Sequence, residues 1–258
     1  MAAFRDRVTA LLPKAWRTSL YRRVMRHNAK RNQSGRETGL VTLHGVKLQV
    51  DPDTTDDQIM WALVHGTYEG AEMKMTRMYL DKDDVVMELG AGLGFISTYC
   101  AMRIGDDRVH TFEANPLLEP SIRHNYAING VEPDLKIGLL GQGTGEATMH
   151  VSDSFWSTST QQVPGSRPVK TRRLDLTEEI RRIRPTFLIM DIEGGEIDII
   201  DAIEFDTIEK IAMEVHPQKT GQAAIDGMDA RLREAGFQRE WAGEDDQHVF
   251  YARASTTE

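Results

Sequence analysis

From residue 85 onward the chain alternates between short, nearly continuous apolar runs and longer segments whose apolar positions recur every three or four residues. The runs are VVMEL (85–89), RVHTFEA (108–114), LKIGLLG (135–141), TFLIMDIE (186–193) and KIAMEVH (210–216). Runs of this length read as strands buried on both faces. Helical periodicity follows near 94–103, 117–129, 194–203 and 221–235, while 142–168 reads as irregular. FQREWAG (237–243) and QHVFYAR (247–253) read as a terminal antiparallel pair. Strands alternating with helices predict an α/β fold: a doubly wound, mainly parallel seven-stranded, Rossmann-like sheet with an antiparallel terminal strand pair.

The first third of the chain has a different pattern. Phe4, Val8, Leu11, Leu12, Trp16, Leu20 and Val24 fall at near-helical spacing, so residues 3–30 read as helix, interrupted at Pro13. RNQSGRETG (31–39) is a linker. LVTLHGVKLQVD (40–51) predicts a hairpin turning at His44-Gly45. TTDDQIMWALVHG (54–66) predicts a helix capped by Thr54 or Thr55 and ended by Gly66, and TYEGAEMKMTRMYL (67–80) a second helix. This organisation gives two parts: a helical extension over 1–38 and one domain over 39–258.

Composition sharpens the picture at two points. The 258 residues carry a formal net charge of −9, yet residues 1–36 hold ten Lys and Arg against the single acid Asp6. The body is therefore strongly acidic, which argues against a nucleic-acid partner. The basic, amphipathic extension suits either peripheral contact with an anionic membrane surface or, the preferred reading, a helix packed on the domain or on a second subunit in a homo-oligomer. The single cysteine, Cys100, leaves no internal disulfide and no CxxC zinc site, as suits a reducing cytoplasm. No apolar run approaches the roughly 20 residues that span a bilayer, and the N-terminus lacks a secretory h-region. The expected location is cytoplasmic, or peripheral at the inner face of a membrane.

The candidate chemistry starts at ELGAGLG (88–94). A strand ends in Glu88, and Gly90, Ala91 and Gly92 form a loop before a helix. The spacing is GxGxG, with Phe95 where a dinucleotide fingerprint has its third glycine. A carboxylate here repels a pyrophosphate on the helix N-terminus but tolerates a cationic amine. Glu113, followed by Ala114 and Asn115, ends the next strand, beside the glycine loop in a doubly wound sheet. A carboxylate there accepts hydrogen bonds from a ribose diol. Together the two segments point to S-adenosyl-L-methionine, which carries an ammonium and a sulfonium and no phosphate. An NAD-type oxidoreductase is the alternative class, and an inactive binding module that keeps the fold is a third.

These segments resemble the FkbM-type methyltransferases, a class I family dependent on S-adenosylmethionine. The resemblance runs through GTYEGAE (66–72), MELGAGLGFIS (87–97), FEANP (112–116), MDIEGGEIDII (190–200) and MEVHP (213–217), in the family's order. One departure is Glu88, where the family usually carries Asp. Residues 1–36 and 152–168 match none of its motifs. The resemblance implies O-methylation of a hydroxyl on a sugar or glycan, a glycolipid or a natural product.

Asp191 and Glu193 follow the fourth parallel strand, and Glu214 and His216 end the fifth. In the usual order these strands lie next to the first, so the four side chains are expected to converge near the transferred methyl. Two mechanisms suit them. In the preferred one, His216 or Asp191 is a general base and no metal takes part. In the other, the group binds Mg²⁺ or another divalent ion. Glu193 and Glu196 also read as helix N-terminal acids. Tyr68, Glu69 and Glu72 are expected on a helix that lids the cofactor, with Glu69 a partner for its ammonium. Trp156, in DSFWSTST (153–160), suits stacking on a sugar.

Overall fold

A computed structural model describes residues 39–51, 55–151, 158–159, 166–192, 194–243 and 247–253, together with residues 19, 20 and 23. Apart from Ser19, Leu20, Arg23 and Gly39, the helix expected over 3–30 and the linker lie outside the described residues, as do Trp156 and Glu193. Ser19, Leu20 and Arg23 are helical and exposed.

The hairpin forms as expected, from β1 (Leu40–Leu43) and β2 (Val46–Gln49). Helix α1 (Asp57–His65) ends at Gly66, which adopts the left-handed conformation, φ 74°. Its cap is neither threonine: Asp56 accepts the backbone N–H of Gln58. The Thr55 hydroxyl instead donates to the Asp51 carbonyl at 2.6 Å. Helix α2 (Gly70–Tyr79) begins later than its sequence suggests, because Glu69 takes a left-handed turn at φ 44°. Tyr68 and Glu69 therefore precede the helix and Glu72 lies on it.

Then come β3 (Val86–Leu89), α3 (Phe95–Ile104), β4 (Val109–Glu113), α4 (Glu119–Asn129) and β5 (Asp134–Ile137). Strand β10 (Phe187–Met190) leads to α6 (Glu196–Ala202), and β11 (Lys210–Glu214) to the short α7 (Pro217–Thr220) and to α8 (Gln222–Glu234). Strands β12 (Phe237–Ala242) and β13 (His248–Arg253) close the chain. The main sheet has seven strands in the order β12-β13-β11-β10-β3-β4-β5. Strands β11, β10, β3, β4 and β5 pair in parallel, and β13 pairs antiparallel with both β11 and the edge strand β12. Strand β10 adjoins β3, but β11 lies one place further out.

The sheet is covered on both faces. Met60, Leu63, Met73, Met75, Phe95 and Cys100 pack on one side with the hairpin, and Ile183, Ile199, Ile200, Met228 and Leu232 pack on the other. This double burial is why the strands read as continuous apolar runs. At the strand starts, Lys210 bonds Asp81 and Asp84, each at 2.7 Å, and Thr186 donates to Asp84. The opposite, carboxyl ends of the strands are left to form the crevice.

LKIGLLG is not one strand. It breaks at Gly138 into β5 and β6 (Leu139–Gly141), which belong to different sheets. Leu174 passes so close that a Cβ on Gly138 would lie 2.7 Å from its side chain. The stretch expected to be irregular holds β7 (Gly145–Val151), β8 (Thr158–Ser159) and the start of β9 (Arg167–Asp175), which with β6 form a second, four-stranded sheet. Helix α5 (Leu176–Ile183), capped by Asp175, leads back to the main sheet.

Candidate functional site

The site is built at the carboxyl ends of β3, β4, β10 and β11. The loop after β3 is shaped by contacts that leave room only for glycine. A Cβ on Gly90, at φ 92°, would lie 2.0 Å from the Asp191 carbonyl oxygen, so Gly90 lets the β3 and β10 loops meet. A Cβ on Gly92, at φ 54°, would lie 2.9 Å from both Glu69 Oε1 and the Tyr68 hydroxyl. Those two groups therefore sit directly over the loop. Gly94 serves packing instead, because Tyr126 and Ile122 of α4 press against it. Ala91 is buried and its carbonyl accepts the Gly94 N–H at 2.6 Å.

Glu113 sits where the strand order puts it, beside this loop. Its carboxylate accepts the backbone N–H of Gly92 at 3.1 Å and of Asn115 at 2.7 Å. Burial pushes its pKa up, while these bonds and the backbone N–H groups of Ala91 and Ala114 work against that rise. Asn115 is fully buried and its side chain accepts the Leu117 N–H, which fixes the turn after β4.

Glu88 points inward. Its carboxylate accepts the Ser97 N–H at 3.2 Å and the Thr111 hydroxyl. It closes the first turn of α3 and sits only 2 % exposed. Burial raises its pKa to about 7, although both bonds oppose the rise. Any influence of Glu88 on a ligand is thus through its field and through the loop it holds. Burial likewise drives Glu69 well above the ordinary carboxylate range; the Tyr68 hydrogen bond opposes this, and Glu72, Glu88 and Asp191 add repulsion.

Asp191 and His216 come together as the sequence predicts, but with Glu196 as the third member. Their ligand-type atoms all lie within 4.8 Å of one another. Glu196 Oε1 accepts the N–H groups of Ile192 at 3.3 Å and Gly194 at 3.1 Å, and faces His216 Nδ1 at 3.2 Å. Burial pushes the Glu196 pKa up, but His216 and the backbone N–H groups bring it below the usual range. Glu196 is thus both the acid at the start of α6 and the partner of the histidine. Glu214 stands apart from Asp191, between two imidazoles: 3.9 Å from His216 Nε2 and 3.8 Å from His248 Nε2. His248 in turn bonds Glu72 at 3.0 Å. His248 is the residue sequence reasoning missed. Its signal is only its register, opposite Glu214 across the antiparallel pair of β11 and β13.

The chemistry of the donors fits S-adenosylmethionine. Glu69 lies over the glycine loop and Glu113 at its side, both as carboxyl groups able to accept hydrogen bonds. Acidic groups dominate the crevice, which suits a cationic ligand and disfavours a pyrophosphate.

The profile of the methyltransferase FkbM domain matches residues 88–239, more than half of the chain. No curated protein matches. Among solved structures, precorrin-6y C5,15-methyltransferase from Geobacter metallireducens GS-15 is 14% identical, with 72% of this chain and 88% of that chain covered and a TM-score of 0.44. Precorrin 8w decarboxylase from Methanobacterium thermoautotrophicum is 16% identical, covering 72% and 90%, with a TM-score of 0.44. The tRNA (uracil-54, C5)-methyltransferase of Pyrococcus abyssi, in complex with S-adenosyl-L-homocysteine, is 12% identical, covering 83% and 44%, with a TM-score of 0.45. Similarity at this level assigns no residue.

Proposed function

The chain belongs to the FkbM methyltransferase family, and from that premise we propose that it uses S-adenosylmethionine to methylate a hydroxyl of a glycan, glycolipid or natural product. The observation that carries the cofactor is the pairing of Glu69 over Gly92 with Glu113 beside it. The observation that carries a hydroxyl acceptor is His216, held between carboxylates at the strand ends.

When bound, the cofactor supplies the electrophilic methyl. Glu69 balances its ammonium, and the Tyr68 hydroxyl, bonded to Glu69, holds that carboxylate over the loop. Glu113 orients the ribose and is itself held by two backbone N–H groups. Alignment of this kind contributes about 7–11 kcal/mol when the reacting atoms are brought into line.

An alcohol loses its proton as it attacks. His216 suits this task because Glu196 faces Nδ1, which leaves Nε2 as the basic nitrogen. Nε2 and Glu214 Oε2 are 3.9 Å apart, too far to bond each other. A hydroxyl that donates its proton to Nε2 does so at about 2.8 Å, an ordinary hydrogen-bond length. His216 takes the proton, Glu196 stabilises the imidazolium, and Glu214, 3.9 Å from Nε2, stabilises the same charge through its field. Asp191 borders the same space. A positioned base of this kind is worth about 10²–10⁴-fold in rate.

The test is incubation with S-adenosylmethionine labelled in the methyl group and a panel of hydroxylated sugars, glycolipids and polyketide-like alcohols. Label recovered as a methyl ether supports the reading. Label recovered only on nitrogen or carbon would replace it with another methyl acceptor.

A further inference from the structure

We propose that Glu72, Glu214 and His248 form a site for one divalent first-row metal ion, separate from the base at His216 and serving to pin helix α2 to the strand ends. The three donors come from three elements. Glu214 and His248 are directly opposed in the last rung of the β11–β13 ladder, so the sheet itself sets their side chains on one face. Helix α2 packs across both strands and brings Glu72 to them. The donor atoms all lie within 4.8 Å of one another. His248 Nε2 is 3.0 Å from Glu72 Oε1 and 3.8 Å from Glu214 Oε1.

The surroundings favour a cation of higher charge than an imidazolium. The side chains of Glu72, His248 and Glu214 are only 8%, 15% and 22% exposed. Glu72 and Glu214 both face the His248 imidazole, Glu214 is also 3.9 Å from His216 Nε2, and Glu69 lies close enough to Glu72 for the two to repel. A dication bonded to all three donors balances both carboxylates and leaves the imidazole neutral. One nitrogen with two carboxylate oxygens is a donor set for Mn²⁺, Fe²⁺, Co²⁺ or Zn²⁺ rather than for Ca²⁺ or Mg²⁺.

The neighbouring group of Asp191, Glu196 and His216 is less suited to this. Glu196 Oε1 already accepts two backbone N–H groups that fold its loop. By contrast, His248 is the only hydrogen-bond partner shown for the Glu72 side chain among the described residues.

The experiment needs neither cofactor nor acceptor, so its outcome is independent of the methyl-transfer reading. The full chain is stripped with chelator, desalted and titrated with Mn²⁺, followed by electron paramagnetic resonance. One saturable Mn²⁺ per chain is expected. Glu72→Gln and His248→Gln should each weaken it by at least about 10-fold, as loss of one of three ligands requires. Electron spin-echo modulation from a coordinated imidazole nitrogen should vanish in His248→Gln and persist in His216→Gln. Mn²⁺ should raise the melting temperature of the wild type and not of Glu72→Gln. Absence of saturable binding overturns the site, as does binding that both variants leave unchanged. So does a nitrogen signal that survives in His248→Gln. Should His248→Gln fail to fold, Glu72→Gln decides the matter by the titration alone.

Discussion

Replacing Glu88 by Gln should stabilise the cofactor-free protein by an amount that grows as the pH rises from about 4.5 to about 7 and then levels off. Glu88 is buried behind the glycine loop, and burial raises its pKa from 4.5 to about 7. The sign follows from linkage. A carboxyl group that binds its proton more tightly when folded gives full stability below about pH 4.5. That stability is lost as the pH rises through about 7. The rise corresponds to about 3 kcal/mol against the ionised form. Gln is a close isostere that never ionises. Its carbonyl oxygen can accept the Ser97 N–H, and its amide can donate to the Thr111 hydroxyl, which reverses its own role. No buried polar group need be orphaned. At about pH 8 the variant should therefore melt roughly 6–12 °C above the wild type, taking about 2–4 °C per kcal/mol for a domain of this size. At about pH 4, below both pKa values, the two should melt close together. Differential scanning calorimetry at both pH values provides the comparison. A variant that is less stable than wild type by the same amount at both would refute the reasoning, because it would mean that the ionised carboxylate is what the site stabilises.

Three other substitutions test the remaining parts of the site. Glu113→Ala should weaken S-adenosylmethionine binding at least about tenfold with the fold retained, since charge-assisted hydrogen bonds contribute about 1.5–3 kcal/mol each; calorimetric titration reads the change. His216→Ala should lower turnover about 10²-fold or more while cofactor affinity stays constant, and steady-state rates beside equilibrium binding separate the two effects. Gly92→Ala places a methyl group 2.9 Å from Glu69 Oε1 and the Tyr68 hydroxyl. It should weaken cofactor binding more than it lowers the melting temperature, since a left-handed alanine costs only about 1–2 kcal/mol.

The elements that sequence patterning captured are those buried on both faces. Strands β3 (VMEL), β10 (FLIM) and β11 (KIAME) are mostly apolar and β4 (VHTFE) less so, and burial on both faces makes their signal strong. Strand β9 was hidden because Arg167, Lys170, Arg172 and Arg173 crowd it, and only Thr171 and Leu174 turn inward. The break at Gly138 was hidden for a different reason. A glycine inside an apolar run reads as strand until the partner that presses on it, here Leu174, is known. In the site, ELGAGLG and FEANP were legible because local spacing builds them. Glu113 needs only the parallel order of β3 and β4 to meet Gly92. The grouping of His248 with Glu214 and Glu72 depends on an antiparallel register and on helix packing, and neither leaves a local pattern. Glu196 was legible as a helix-start acid, but its approach to His216 depends on the adjacency of β10 and β11. The sequence placed Tyr68 and Glu69 on a helix, whereas the left-handed turn at Glu69 lifts both over the glycine loop.

The most direct test of the account is calorimetric titration of the purified chain with S-adenosylmethionine and, separately, with NAD⁺. The crevice offers carboxylates at Glu69 and Glu113, so one S-adenosylmethionine should bind per chain and NAD⁺ should not. Binding should weaken as the pH falls and Glu113 and Glu69, whose pKa values burial raises, take up protons. Saturable binding of NAD⁺, or no heat from S-adenosylmethionine with the folded protein, would contradict the account at its centre.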